Sequence, residues 1–125
     1  MKNDFFPLIS KANPTIYAYE LPNDSSRKGQ LKIGQTHRSA LARVTEQIGA
    51  TRAAFNIVFE ENAMRNDGSA FSDHDIHSYL RSKGFYNHDG EWFECTVENV
   101  SAAIIALKSG EINEENRSLD FSMRH

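Results

Sequence analysis

The chain begins to alternate at Thr15. Through Thr15, Ile16, Tyr17, Ala18, Tyr19, Glu20 and Leu21, β-branched and aromatic residues keep the two-residue period of a strand, with Tyr17, Tyr19 and Leu21 on one face and Ile16 and Ala18 on the other. Residues 22–29 are turn chemistry throughout, rich in Pro, Asn, Asp, Ser and Gly. A second alternating run follows over residues 30–34, so the two strands are expected to pair as an antiparallel hairpin with a long connection. Leu31 and Ile33 share one face and Lys32 points to the other. Gly34 closes the run, at a place where a backbone bends or lets another group approach closely. Lysine is depleted in strand interiors, so Lys32 requires either solvent or a chemical role.

Beyond the hairpin the period lengthens. Ser39 is a good N-cap; Leu41, Val44 and Ile48 then recur at helical spacing, with Arg43 off that stripe, until Gly49 stops the helix. Phe55, Asn56, Ile57, Val58 and Phe59 read as a third strand, apolar on both faces and therefore expected at the centre of the sheet. The acidic, glycine-containing residues 60–69 read as a loop. Ser72 can cap a second helix with a stripe of Ile76, Tyr79 and Leu80, ending near Gly84. Asp73 and His77, four apart, share one face of that helix, while His74 and Asp75 point to solvent. Residues 86–90 form a turn leading to Glu91, Trp92 and Phe93, and Val97, Val100, Ile104, Ile105 and Leu107 mark a third helix reaching Lys108. The expected fold class is α/β in the α+β sense: a small central three-stranded antiparallel sheet (residues 15–21, 30–34 and 55–60) flanked by helices.

At 125 residues, with 39% hydrophobic and 25% charged content, the chain suits one globular domain. There is no run of about 18 apolar residues and no basic-then-apolar N-terminus, so neither a membrane span nor a signal peptide is indicated and a cytoplasmic location is expected. The lone Cys95 can form neither an internal disulfide nor a zinc knuckle and reads as packing. The net charge of −3 and pI near 5.9 argue against tight autonomous DNA binding, because phosphate-backbone affinity comes mainly from lysine and arginine releasing counterions. They leave room for a catalytic module with a local positive site.

The order of Thr15-Ile16-Tyr17, Tyr19, Lys32-Ile33-Gly34 with Thr36, Arg43, the Asp73/His77 pair and Glu91-Trp92-Phe93 resembles the GIY-YIG nuclease superfamily. The likeness is to its phage- and restriction-associated branch, in which lysine replaces the second tyrosine, and it covers residues 15–109. Thr15 stands where the first glycine would be, and Asp73 where the branch usually has glutamate. The resemblance implies a divalent-metal-dependent DNA endonuclease. Tyr17 would orient or deprotonate the attacking water through a depressed pKa, and Lys32 would lower that pKa or steer the water. Arg43 would grip the scissile phosphate with its planar fork. Tyr19 and His37 are second choices for hydroxyl positioning and proton shuttling. Asp73 would hold one Mg²⁺ or Mn²⁺, with His77 and Glu91 as supporting residues, and no organic cofactor is implied. Two rival classes stay open: the same fold kept as a non-cutting DNA-binding or protein-docking module, and an unrelated small α/β protein.

Residues 1–14 read as a leader and 110–125 as a linker or tail. Apolar residues resume at Leu119 and Phe121, and the Phe121 to Arg124 spacing resembles the start of the first motif of helicase-type motors. The expectation is an N-terminal module of a longer restriction or DNA-processing protein, with DNA affinity residing mainly in a C-terminal motor.

Overall fold

The computed structural model describes residues 13–110. The leader, most of the tail and the Phe121 to Arg124 motif lie outside the described residues. The order of elements is β1 (Thr15–Glu20), a 3₁₀ turn (Ser25–Arg27), β2 (Gln30–Thr36), α1 (Ala40–Ile48), a second 3₁₀ turn (Gly49–Thr51), β3 (Asn56–Asn62), α2 (Asp73–Ser82), β4 (Asn87–Asp89), β5 (Trp92–Glu94) and α3 (Val97–Lys108). The strands form one antiparallel sheet in the order β3-β1-β2-β5-β4.

The sheet thus has five strands where the sequence pattern gave three, because β4 and β5 are three residues each, too short to show a period. β3 is an edge strand and not the central one. It is apolar on both faces because helices bracket it. Ile57 packs with the α1 side of the sheet, whereas Val58 and Phe59 pack with the α2/α3 side.

Side-chain alternation divides the core in two. One face gathers Ile16, Ala18, Leu31, Ile33 and Phe93 against Ile76 and Leu80 of α2 and Val100, Ala103, Ile104 and Leu107 of α3. The other carries Tyr17, Tyr19 and Trp92 against Ala40 and Val44 of α1. Leu41, expected in the α1 stripe, is 60% exposed, and Ala40 takes the buried position. Ile105 of α3 is likewise on the outside.

The helix ends follow their capping chemistry. The Ser39 hydroxyl accepts from the Ala42 N–H at 3.0 Å, and Gly49, at φ +58°, ends α1. At α2, Ser72 and Asp75 form a capping box that satisfies two otherwise orphaned N–H groups. Asp75, read from sequence as solvated, therefore has a structural job. Cys95 packs against the larger core, and burial pushes its thiol up to about 11, so it is no ready nucleophile. Among the described residues no helix is long and apolar enough to cross a membrane.

Candidate active site

The site grows from the register of three strands. Tyr17 pairs with Gly34, Tyr19 with Lys32, and Lys32 with Trp92, so all five lie on the face that α1 covers. At Gly34 the missing side chain is what makes room. A Cβ there would stand 2.5 Å from the Tyr17 hydroxyl oxygen, 2.7 Å from Tyr17 Cζ and 3.2 Å from Glu91 Oε1. The Tyr17 phenol therefore lies directly over the Gly34 backbone, and the Glu91 carboxyl reaches the same spot from the tight β4–β5 turn. The Ile33 N–H donates to the Glu91 carbonyl at 3.0 Å and locks that turn to β2.

Arg43 comes from α1. The positive charge of its guanidinium favours the ionised form of the Tyr17 hydroxyl. Burial and the Glu91 charge outweigh it, so the Tyr17 pKa is raised. This corrects the expectation of a depressed pKa: a phenol 1% exposed is poorly placed to become an anion. Lys32 does not relieve it, since its charge acts on Glu91.

Glu91 is held above the usual carboxylate range, first by burial and then by the charge of Asp73, with Lys32, Arg43 and His74 opposing. One half-buried carboxyl thus feels one other acid and three basic side chains. Asp73 is delivered by the start of α2, whose first N–H donates to Gln35 Oε1 on β2 at 2.8 Å. Tyr17, Lys32, Arg43, Asp73 and Glu91 are accordingly brought together.

Three expected residues stand apart. His37 is exposed in the turn after β2, and none of the hydrogen bonds among the described residues involves it. His77 is buried on the opposite face, with Nε2 2.8 Å from the Ile33 carbonyl and its ring tilted against Phe93. The carbonyl needs a donor, so Nε2 carries the proton; burial lowers the His77 pKa and keeps the ring neutral. It docks α2 on β2 and does not reach the cleft. Tyr19 is packed between Phe55 and Trp92, its hydroxyl donates to Gln47 Oε1 at 3.1 Å, and burial pushes its pKa up to about 12. It holds Gln47 and is not a free acid or base.

Glu91 was expected only as a supporting residue, Gln47 and Gln35 were not singled out, and His74 was read as solvent-facing, which it is. Gln47 follows Arg43 by one helical turn, a signal the sequence did contain. A cavity of about 560 Å³ lies elsewhere, at the loop end of the hairpin, lined among others by Leu21, Arg27, Gln30 and Cys95. Its lining includes none of Tyr17, Gly34, Arg43, Asp73 or Glu91.

An antiparallel sheet that sets a tyrosine and an acid over one glycine, with an arginine and a second acid in range, offers groups suited to a phosphate-bearing substrate. Comparison with family models matches residues 15–108 to the T5orf172 domain. The chain belongs to this T5orf172 domain family, a phage-associated domain of nuclease-like type. Neither the curated proteins nor the solved structures give a match.

Proposed function

We propose that this chain is a divalent-metal-dependent endonuclease module that hydrolyses DNA phosphodiesters in the manner of the GIY-YIG superfamily. The observation that supports it is that Tyr17 and Glu91 meet over Gly34, within range of the charges of Arg43, Lys32 and Asp73. Hydrolysis needs a water positioned and deprotonated, added negative charge stabilised, and a leaving oxygen neutralised.

The donor set fits a hard cation. Asp73 raises the Glu91 pKa, so two carboxylates repel one another beside a cleft, a repulsion that a bound cation relieves. Among the described residues no group of three His, Cys, Asp or Glu is arranged to hold a metal. Mg²⁺ or Mn²⁺ would take one or two carboxylates from the protein and complete its shell with water and substrate phosphate. Glu91 acts on Tyr17, whereas Asp73 is not among the charges that do, so Asp73 is assigned to the ion and Glu91 to the proton. Bound there, the ion would supply Lewis-acid neutralisation of the leaving 3′-oxygen.

The protein's own groups divide the remaining work. The neutral Tyr17 phenol orients the attacking water by hydrogen bonding, and Glu91, held above the usual carboxylate range by burial and the Asp73 charge, accepts the proton. Water oxygen bonds to phosphorus as the bond to the 3′-oxygen breaks, and that oxygen is reprotonated from solvent. Arg43 binds the phosphate oxygens and stabilises the charge they gain. Lys32 keeps Glu91 ionisable. DNA is the partner in this reading, and delivery by a further, helicase-type domain is part of it.

Incubating supercoiled plasmid with the protein and Mg²⁺ or Mn²⁺, against a chelator control, tests the proposal. Conversion to nicked or linear DNA that stops in chelator is expected. Intact plasmid with both ions would leave the non-cutting docking module as the better reading.

A further inference from the structure

Two arginines meet at one oxygen on the outer side of α1. Glu46 Oε1 accepts from Arg38 Nη2 at 2.6 Å and lies 3.5 Å from Arg43 Nη1. The side chains of Arg38, Arg43 and Glu46 are 54%, 43% and 52% exposed, so the trio borders solvent. Arg38 is not loosely hung. Its backbone N–H donates to Thr36 Oγ1 at 3.0 Å, which fixes the turn where β2 hands over to α1. Arg43 meanwhile faces both ways, toward Tyr17 and toward Glu46.

An exposed ion pair contributes little to stability, so Glu46 does not need Arg38 for the fold. What the geometry fixes is a point of converging positive charge, held by a carboxylate oxygen, whose Arg43 also acts on Tyr17. A phosphate oxygen has the same charge and bonding preference and fits the same guanidinium forks. Elsewhere among the described residues Arg65, Arg27 and Lys108 each pair with an acid of a different element. Among the described residues, only at Glu46 does one acid hold two arginines.

We propose that Arg38 is a second phosphate-binding residue, forming with Arg43 a clamp for the DNA backbone next to the scissile bond, and that Glu46 is the resident carboxylate which preorganises the clamp and is displaced by DNA. The inference rests on the nuclease reading for the identity of the ligand, but binding can be read with no cleavage at all. Glu46 is thereby a brake on affinity: removing its charge frees two guanidiniums for phosphate.

The test is fluorescence anisotropy of a labelled duplex in chelator, at several salt concentrations, with wild type, Arg38→Ala, Glu46→Gln and the double variant. Arg38→Ala should weaken binding severalfold and lower the slope of log affinity against log salt by about 0.9, the value for one lost phosphate contact. Glu46→Gln should tighten binding severalfold, and the double variant should lose that gain. Thermal melting checks that all four proteins are equally folded, as expected for exposed side chains. Unchanged affinity and slope in Arg38→Ala, or weaker binding in Glu46→Gln, would overturn the proposal. If wild type fails to cut plasmid yet these shifts occur, the nuclease reading fails and the clamp stands.

Discussion

Gly34→Ala is the smallest change that strikes the site at its centre. One added carbon would sit 2.5 Å from the Tyr17 hydroxyl oxygen and 2.7 Å from Cζ, both well inside van der Waals contact, and 3.2 Å from Glu91 Oε1. Backbone strain is not involved, because Gly34 is not among the residues with positive φ. The question is whether Tyr17 can yield. Its ring is 1% exposed and stacked on Tyr19 at 6.3 Å between centroids, and Tyr19 is in turn held by Trp92 and Phe55. Relief therefore means moving a packed aromatic row or opening the β1–β2 pairing. Overpacking of this kind costs about 1–3 kcal/mol, and for a domain of this size that is a fall in melting temperature of roughly 5–15 °C. Activity should suffer more than stability, since a shift of about 1 Å at a positioning group lowers turnover on the order of 100-fold. Calorimetry and single-turnover cleavage, run well below the melting point, separate the two losses. Tyr17→Phe/Gly34→Ala should recover part of the stability, because the closest clashing atom is gone, but none of the activity. A Gly34→Ala protein with wild-type melting and wild-type cleavage would refute the picture of a phenol lying on a bare backbone.

Other outcomes follow from the same geometry. Asp73→Asn should abolish cleavage at low metal while leaving the unfolding free energy within about 0.5 kcal/mol of wild type, with partial rescue at high Mn²⁺; loss of the fold would mean that Asp73 serves only the start of α2. The Glu91 pKa is raised, so the folded protein holds that proton to higher pH than the unfolded chain, and stability falls as pH rises from the ordinary carboxylate range through the folded value. The melting advantage of Glu91→Gln over wild type should therefore grow over that window, and the acid limb of the cleavage profile should lie above the usual carboxylate range and vanish in the variant. A flat difference in melting with pH would contradict the burial argument. His77→Ala should destabilise by about 1–3 kcal/mol for the orphaned Ile33 carbonyl alone, and more with the cavity, measured by chemical denaturation. Wild-type affinity for duplex should sit near the non-specific range of ~10⁻⁴ to 10⁻⁶ M and fall steeply with salt; nanomolar binding at physiological salt would remove the need for a delivering domain.

The parts of this fold that were legible in the sequence are those set by local chemistry. The alternation of Ile16, Tyr17, Ala18 and Tyr19 fixed which side chains share a face, and the caps Ser39, Ser72 and Gly49 marked helix ends. What local patterns do not carry is the partner across the sheet. β4 and β5 exist because Lys32 and Leu31 pair with Trp92 and Phe93, a contact far away in sequence, and β3 is an edge although its composition suits a centre. The site divides the same way. Tyr17, Lys32, Arg43 and Asp73 were readable from the order of motifs. The weight of Glu91 was not, because it depends on the turn at Gly90, with φ +50°, and on β5 docking beside β2. His77 and Tyr19 show the converse, since the order of motifs suggested chemistry where burial and their hydrogen-bond partners make them scaffolding.

The central claim is that the cleft around Gly34 cuts DNA with Arg43 gripping the phosphate. Single-turnover cleavage of a labelled duplex by wild type and Arg43→Ala, at matched melting temperature and saturating Mg²⁺ or Mn²⁺, addresses it directly. The account predicts metal-dependent strand cleavage by wild type and loss of at least about 100-fold in the variant, the scale for removing one transition-state charge stabiliser. Equal rates for the two proteins, or no cleavage by wild type with either ion, would contradict it.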